Sequence, residues 1–330
     1  MARDVHVLQS PASASDTVAT MPRPFERVPF DLLPDLPRRP HEFARTTARE
    51  IAMPSRPFGD LRVHYREMGE GPPLLLVHGL MTTSYSWRYV YAPLAERFRV
   101  IAPDLPGAGR TTKRAECNHS AAALAEWIGE FQAALGIRGC VAVGNSLGGY
   151  LCMCHALRDD GAFARLVNIH SPALPDARYY ALHAGLAIPG ARTALAAVIR
   201  RDRERWVWKN VHYFDETLKS REETRKYAAP LGDDAGIATF IRYLYDTMSP
   251  AGFAEFRAEL EARRGRPFPM PLLLLYSRRD PLVPPKNGNR LHELIAGSSL
   301  AWLDDTSHFA HVDTPEPVVR EVMAFLTAGA

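Results

Sequence analysis

Short apolar runs alternate with amphipathic, helix-compatible stretches along most of this chain. Such runs are typical of buried parallel strands, and they cover residues 73–78, 98–102, 140–143, 166–169, 271–276 and 300–303. Residues 61–66 alternate between apolar and polar positions, which also predicts a strand. The alternation of strands and helices predicts an α/β fold with a mainly parallel central sheet and helices on both faces.

Two amphipathic patterns predict helices that flank this sheet. After Ser120, which can cap a helix, apolar residues recur at three- and four-residue spacing up to Leu135, and Gly136 breaks the pattern. The last pattern lies at residues 318–326 and predicts a closing helix.

The strand signal disappears between residues 171 and 269, where helix-compatible segments such as 206–213 and 235–247 dominate. We interpret residues 171–269 as an inserted helical cap, so that residues 43–170 form the first part of the core and residues 270–330 the second. Such a cap would cover the strand ends, where open α/β sheets bind ligands. Its aromatic residues could line an apolar pocket, although packing between helices is their more common use: Trp206, Trp208, Tyr213, Phe214, Phe240 and Tyr245.

Residues 1–42 are rich in proline and arginine, and the prolines repeatedly interrupt regular structure. We predict an extension outside the core that is either mobile or wrapped over the surface. Solvated disorder fits this composition as well as packing does. The side chains that could pack on a neighbouring surface are Phe25, Val28, Phe30, Leu32 and Leu33.

Composition narrows the classes of partner. A net charge of +3 on 330 residues is too small to indicate a nucleic-acid-binding surface. The four cysteines lack the spacing of a metal site, so we expect reduced thiols, no metal and no cofactor. No apolar run is long enough to predict a transmembrane segment, and the N-terminus lacks the apolar core of a secretory signal. These features favour a cytoplasmic protein that acts on a small molecule.

One apolar strand runs into the pattern Gly-x-Ser-x-Gly centred on Ser146 and then into a helix-compatible stretch. This order describes a nucleophile elbow, in which a sharp strand-to-helix turn exposes a serine hydroxyl where a base can reach it. Gly144 and Gly148 suit the crowded sides of such a turn because they carry no side chain. Ser146 is therefore the candidate nucleophile, although an ordinary glycine-rich turn would give the same pattern.

A serine nucleophile needs a base and an orienting acid, and a fold with this elbow orders them as nucleophile, acid, histidine. Asp280 lies in the loop after an apolar strand and is the candidate acid, in preference to Asp176 and Asp215. His308 follows the last strand directly and is the candidate base. We assign His311, which lies nearer the final helix, to packing or a structural bond.

The oxyanion that forms when a serine attacks a carbonyl needs two hydrogen-bond donors. The Leu147 N–H opens the predicted helix, where the first amides are unpaired and the helix dipole favours negative charge. The second donor should come from the loop after the strand at residues 73–78, and the Leu80 N–H is the candidate. We interpret His78, at the end of that strand, as a brace for this loop.

These residues together resemble the α/β-hydrolase superfamily over roughly residues 43–330. The motifs that carry the resemblance occur in that family's order: His78-Gly79, Asp104-Leu105-Pro106-Gly107, Gly144-Asn145-Ser146-Leu147-Gly148-Gly149, Asp280 and His308. The resemblance implies the α/β-hydrolase fold with an inserted helical cap.

Residues 78–88 look like the corresponding loop and helix of the epoxide-hydrolase and haloalkane-dehalogenase branch, but the nucleophile differs. That branch uses an aspartate, because attack on a saturated carbon must leave an ester that water can cleave later, whereas serine would leave a stable ether. Ser146 therefore favours a substrate that already contains a carbonyl group. The Gly-Asn-Ser-x-Gly-Gly form is also similar to the hydrolases that cleave carbon–carbon bonds in ring-fission products.

The ordered residues and the resemblance imply a serine hydrolase, with a carboxylic ester of a small to medium, largely apolar substrate as the leading class. Two alternatives stay open. The same residues could hydrolyse a carbon–carbon bond in a vinylogous diketone. The chain could also be a ligand-binding homologue that has kept the fold and lost catalysis, which the three filled catalytic positions disfavour.

Overall fold

The computed structural model describes residues 23–328, and an eight-stranded sheet forms its centre. The strands are β1 (Thr47–Ser55), β2 (Gly59–Met68), β3 (Pro73–Val77), β4 (Arg99–Pro103), β5 (Cys140–Asn145), β6 (Phe163–Ile169), β7 (Leu272–Ser277) and β8 (Ser299–Leu303). Their order across the sheet is β1-β2-β4-β3-β5-β6-β7-β8. The β1–β2 and β2–β4 pairs are antiparallel and the other pairs are parallel. The predicted, mainly parallel sheet is confirmed.

Strand β1 is an element that the sequence pattern did not predict. It pairs with β2 from Thr47 opposite Glu67 to Ser55 opposite Gly59, and it forms one edge of the sheet. Most of its side chains are exposed, and Met53 is the buried apolar one. An edge strand with so little buried surface needs no regular alternation of apolar and polar residues, so the pattern carried no signal for it.

Helices surround the sheet. They are α1 (Tyr91–Ala95), α2 (Ala121–Leu135), α3 (Leu147–Arg158), α4 (Ala177–Ala187), α5 (Ala191–Arg201), α6 (Arg203–Asn210), α7 (Arg221–Ala228), α8 (Asp234–Arg242), α9 (Pro250–Ala262), α10 (Lys286–Leu294), α11 (Ala310–Asp313) and α12 (Pro315–Thr327). The bounds of α2 follow from its sequence. The Ser120 hydroxyl accepts a hydrogen bond from the Ala123 N–H at its start, and Gly136, with a φ of 64°, ends it.

Both faces of the sheet are covered, as predicted. On β3, Leu75 and Val77 belong to the apolar cluster that includes α2 and α3, whereas Leu74 and Leu76 belong to the cluster that includes α1 and α12. Successive side chains of a strand point to opposite faces. Strand β3 is therefore apolar at every one of these positions because each of its faces is buried.

The carboxyl ends of the parallel strands meet at one edge of the sheet. Val77 of β3 lies opposite Gly144 of β5, and Ile169 of β6 lies opposite both Asn145 of β5 and Leu275 of β7. The loops that follow these strands therefore leave the sheet side by side. This register brings the candidate residues of those loops together.

Between β6 and β7 the described chain forms α4–α9, called here the inserted helices, and no strand. The predicted helix at 206–213 corresponds to α6, and the one at 235–247 corresponds to α8 followed by a π-helical turn at Tyr243–Thr247. The status of residues 171–269 as a separate cap domain stays a prediction. Among residues 23–328, no single helix is long and apolar enough to cross a membrane.

Residues 23–42, called here the strap, lie against the inserted helices, while the rest of the predicted extension lies outside the described residues. Phe30 and Leu33 are buried, but Leu32 is 73% exposed. The Trp208 indole N–H donates to the carbonyl of Val28 at 3.0 Å. The strap thus covers part of α6.

The second half of the strap reaches two further segments. Its carbonyls at Pro34 and Asp35 accept hydrogen bonds from the first N–H groups of α7, at 2.8 and 2.9 Å. The Arg39 guanidinium donates to the carbonyls of Val312 and Asp313, at 3.1 and 3.3 Å. For residues 23–42 the structure therefore shows the packed alternative, because the strap contacts both the inserted helices and the segment that follows His308.

Candidate active site

Ser146 occupies the turn between β5 and α3, with a φ of 53° and a ψ of −118°. A non-glycine residue with positive φ is strained and needs support from its surroundings. The Ser146 N–H donates to the carbonyl of Ile169 at 2.7 Å, and its own carbonyl accepts from the Ser171 hydroxyl at 2.8 Å. A Cβ at Gly148 would lie 2.1 Å from the Val77 carbonyl oxygen. The turn is thus the tight strand-to-helix turn that the sequence predicts, and its crowding requires glycine.

Asp280 and His308 are joined by a hydrogen bond of 2.7 Å between His308 Nδ1 and Asp280 Oδ2. Both side chains are buried. The other carboxylate oxygen of Asp280 accepts from the N–H groups of Leu282 and Val283, at 2.7 and 2.9 Å. Burial opposes ionisation of this carboxyl, but its interactions with His308 and its other partners outweigh burial and hold the pKa of Asp280 below its ordinary value.

Ser146 and His308 line the same cavity. The Asn145 side-chain amide donates to the carbonyl of His308 at 3.2 Å, which ties the residue before Ser146 to the histidine segment. The two side chains themselves share no hydrogen bond among the contacts of the described chain. Catalytic hydrogen bonds are often absent before substrate binds, so their placement in one cavity is the relevant observation.

The cavity has a volume of about 430 Å³ and a mainly apolar lining. Sheet loops supply Ser146 and His308 on one side, and the inserted helices supply the other side. Of the six aromatic residues named from the sequence, Trp206 and Phe240 line it. Trp208 instead bonds to the strap, and the Tyr213 hydroxyl donates to Glu223 at 2.6 Å.

The two candidate oxyanion donors belong to backbone segments that adjoin Ser146. Leu147 is the first residue of α3, and its N–H precedes the first hydrogen bond of that helix, which runs from the Tyr150 N–H to the Ser146 carbonyl. A Cβ at Gly79 would lie 3.2 Å from Ser146 Cβ, so the loop that carries Leu80 passes directly beside the candidate nucleophile.

His78 links two loops at the same edge of the sheet. Its Nε2 accepts from the Leu105 N–H at 3.0 Å, so the proton is on Nδ1, which donates to the Gly79 carbonyl at 2.9 Å. Burial lowers the pKa of His78, which keeps the ring neutral. These bonds support the loop that contains Leu80.

His170 is a residue of this site that sequence reasoning missed. Its Nε2 accepts from the Ser277 N–H at 2.6 Å, and its Nδ1 donates to the His308 carbonyl at 3.2 Å. Burial lowers the pKa of His170 to about 4, so the ring is neutral near pH 7. The sequence signal that could have identified His170 is its position directly after the predicted strand at residues 166–169.

His170, Asp280 and His308 also place possible metal-ligand atoms within 4.8 Å of one another. Both ring nitrogens of His170 are engaged by backbone groups, and His308 Nδ1 is engaged by Asp280. These bonds use the atoms that a metal ion would need. The cluster therefore has the chemistry of a hydrogen-bond network that holds and orients His308.

Asp313 is a second buried carboxylate beside the His308 segment. It accepts from the N–H groups of Ser307 and Phe214, at 2.7 and 2.9 Å, and from the Thr306 hydroxyl at 3.3 Å. These neutral donors compensate only part of the cost of burial, which raises the pKa of Asp313 to about 7. The carboxylate thereby joins the histidine segment to the connection between α6 and α7.

The less favoured candidates from the sequence, Asp176, Asp215 and His311, form other contacts in the structure. Asp176 caps the start of α4, and Asp215 caps a short 3₁₀ turn and pairs with Arg38 at 2.9 Å. His311 is buried and packs against Trp87, with ring centroids 4.4 Å apart and the rings tilted by 35°. These three side chains are absent from the lining of the Ser146 cavity.

The chain is similar to several known proteins. Haloalkane dehalogenase 2 of Mycobacterium tuberculosis is 26% identical over 79% of this chain and 90% of its own length. Pimeloyl-[acyl-carrier protein] methyl ester esterase of Aeromonas hydrophila is 25% identical over 81% of this chain and 100% of its own. The crystal structure of a membrane phospholipase A, a bacterial virulence factor, is 25% identical, with a TM-score of 0.64 over 85% of this chain and 86% of that one.

A family model described as the alpha/beta hydrolase fold matches residues 72–315, which include every candidate catalytic position. This span begins within one residue of β3 and ends at the start of α12. The superfamily resemblance found in the sequence is thereby confirmed. The chain belongs to the alpha/beta hydrolase fold family.

Proposed function

We propose that this protein is a serine hydrolase that cleaves a carboxylic ester of a small to medium, largely apolar substrate through an acyl-enzyme on Ser146. One observation carries the proposal: Ser146 stands in a strained, crowded turn and faces an apolar cavity that it shares with the hydrogen-bonded pair His308 and Asp280. Strain held in place at a cavity wall is typical of a reacting residue.

The hydrogen bond to Asp280 fixes the proton of His308 on Nδ1 and leaves Nε2 free to accept the Ser146 proton. The Ser146 oxygen then attacks the ester carbonyl carbon, and the N–H groups of Leu80 and Leu147 stabilise the oxyanion. Collapse of this intermediate breaks the bond to the alcohol, which takes its proton from His308. Water, deprotonated by His308, attacks the acyl-enzyme and releases the carboxylic acid.

The cavity supports the substrate class. Its volume of about 430 Å³ lies in the range of small-molecule sites, and the side chains opposite Ser146 include Leu182, Leu244 and Met248. Such a lining favours an apolar group. Two of the related proteins carry ester chemistry in their names, the methyl ester esterase and the phospholipase A. A serine at the nucleophile position suits that chemistry better than dehalogenation.

Hydrolysis of p-nitrophenyl esters of graded acyl length tests this function. We expect the wild-type chain to hydrolyse them, and Ser146→Ala to lose at least about a thousandfold of kcat/KM. Ser299→Ala is the matched control, because Ser299 is exposed at the start of β8. A Ser146→Ala protein as active as the wild type would overturn the mechanism.

Two further measurements, covalent labelling and turnover of a second substrate class, distinguish ester hydrolysis from the alternative functions. A fluorophosphonate probe should add its mass to the peptide that contains Ser146. Absence of both labelling and hydrolysis would indicate a ligand-binding homologue. Faster turnover of a vinylogous diketone than of any ester would indicate carbon–carbon bond hydrolysis instead.

A further inference from the structure

The outer faces of α4 and α5 expose an apolar surface. The described chain has five large apolar side chains that are strongly exposed, and three of them lie on or between these helices: Tyr180 at 54%, Ile188 at 62% and Val198 at 57%. Exposed alanines continue the surface at positions 181, 184, 187, 194 and 197. Contiguous exposed apolar surface on a folded protein commonly marks a site of interaction.

Charged side chains lie beside this apolar surface and not within it. Residues 179–191 contain no Asp, Glu, Lys or Arg, and Arg178 and Arg192 border this stretch. Residues 177–205 carry six arginines against two acidic residues, a net charge of +4, whereas the whole chain carries +3. This segment is thus net positive, although three of its arginines pair with carboxylates: Arg178 with Asp176, Arg200 with Asp234 and Arg205 with Asp31.

Three of these arginines lack an acidic partner among the described residues, and one of them, Arg192, bonds instead to the Leu186 carbonyl at 3.0 Å. Arg201 and Arg203 are both exposed and form no ion pair there, whereas Arg200 pairs with Asp234 at 2.6 Å. Arg201 follows Val198 by three residues on α5, so the two side chains share one face of the helix. A free cation therefore stands next to the exposed apolar side chain.

The inner faces of the same helices line the candidate active site. Tyr179 and Leu182 of α4 and Leu195 of α5 contribute to the wall of the Ser146 cavity. The two helices are bent by 97° at residues 188–190, so they do not form one straight span. They have the features of a surface element that presents one face to the cavity and the other outward.

We propose that the outer face of α4 and α5 docks on the surface of an anionic lipid bilayer, with Ile188 and Val198 inserted among the acyl chains and the arginines against the headgroups. Amphipathic helices of modest hydrophobicity with arginine beside the apolar face bind such surfaces. The charge complementarity selects an anionic membrane over a neutral one. The proposal concerns binding and is independent of the reaction at Ser146.

Flotation of the full chain with large unilamellar vesicles tests this docking. We expect binding to vesicles of equimolar phosphatidylglycerol and phosphatidylcholine, weak binding to pure phosphatidylcholine, and loss of binding as salt is raised. The double variant Ile188→Glu, Val198→Glu should bind the anionic vesicles at least about tenfold more weakly. Arg201→Glu should weaken binding by a smaller factor.

Leu36→Glu is the matched control, because Leu36 is 68% exposed but lies on the strap, and it should bind like the wild type. Thermal melting checks that each variant is folded. Failure of the wild type to bind anionic vesicles, or equal binding by the double variant, would overturn the proposal. Sedimentation velocity adds a third outcome: a wild-type dimer that the double variant dissociates, without vesicle binding, would assign the face to a second copy of this chain and also overturn it. Because binding is the readout, these results do not depend on whether Ser146 hydrolyses esters.

Discussion

Two buried carboxylates hold the His308 segment from different sides, and their protonation differs. Asp280 faces the His308 ring, and its pKa lies below its ordinary value. The Asp313 carboxyl accepts hydrogen bonds only from neutral N–H and hydroxyl donors, and its pKa rises to about 7. Both side chains are almost fully buried, with 6% and 7% exposure. The difference comes mainly from the His308 ring, which can become positively charged and favours the ionised form of Asp280, whereas the donors to the Asp313 carboxyl are neutral.

The two carboxylates also connect different parts of the molecule. All the hydrogen-bond partners of Asp280 come from its own loop and from His308, so it acts locally on the histidine ring. Asp313 bonds to the backbone before His308 and to Phe214 of the inserted segment. We infer that Asp280 orients the His308 ring for the reaction, whereas Asp313 holds the His308 segment against the inserted segment.

Replacing Asp280 should have the largest effect on this contrast. In Asp280→Asn the amide can donate to His308 Nδ1, which would shift the ring proton to Nε2 and remove the base for Ser146. We expect kcat/KM for a p-nitrophenyl ester to fall by about 10³- to 10⁴-fold. Asp304→Asn, at an exposed position beside Arg278, should leave activity unchanged. A loss of less than tenfold in Asp280→Asn would contradict the role given to this carboxylate.

Removing the His170 ring should have an intermediate effect, because it supports His308 through the backbone and not through the ring. His170→Ala leaves the buried Ser277 N–H without this partner, at a cost of about 1–3 kcal/mol, while the His308 carbonyl keeps its bond from the Asn145 amide. We expect kcat to fall by about 10- to 100-fold with KM almost unchanged. Steady-state kinetics and thermal melting measure both effects. Unchanged kcat would show that the histidine segment keeps its position without this support.

Replacing Asp313 should change the pH dependence of stability more than activity. Since the pKa of Asp313 is raised to about 7 from an ordinary value of 3.8, the folded state keeps a proton that the unfolded state loses as the pH rises from about 4 to 7. Its stabilising contribution is thus fully present below about pH 4 and is lost progressively as the pH rises to about 7. Asp313→Asn removes this titration.

The melting temperature of Asp313→Asn relative to the wild type should therefore increase between pH 5 and pH 8, by a few degrees. Differential scanning calorimetry at several pH values measures this difference. Asp305→Asn, with an exposed carboxylate beside Arg279, provides the baseline. A constant difference across the range would show that Asp313 is already ionised at pH 5.

Local motifs made much of this arrangement predictable from sequence. The turn at Ser146 requires glycine at two flanking positions, and Asp280 and His308 follow apolar strands, so each candidate is set by its neighbours in the chain. The parallel register then brings the three loops to one edge of the sheet. Their positions along the chain were sufficient to predict these residues, because the loops that follow neighbouring parallel strands lie close together at one edge of the sheet.

The residues that sequence reasoning missed depend on partners far away in the chain. His170 matters because β6 and β7 are neighbours and Ser277 is at the end of β7. Asp313 accepts a hydrogen bond from the Phe214 N–H, 99 residues earlier in the chain, and this bond offsets part of the rise in pKa that burial causes. Neither relation leaves a periodic or compositional signal. The strap is similar, since its prolines indicate irregular structure but do not indicate the bond from Trp208 to Val28.

The strap has a mechanical consequence for the helices that it covers. The strap contacts α6, α7 and the segment after His308 through several weak interactions that are spread along the chain from Val28 to Arg39. Moving α6 and α7 away from the strap as one rigid body would require all these contacts to break at the same time. Pulling the chain from its N-terminal side would break them one after another, as peeling does. The same contacts therefore resist a rigid displacement of the inserted helices strongly and a progressive release of the strap weakly.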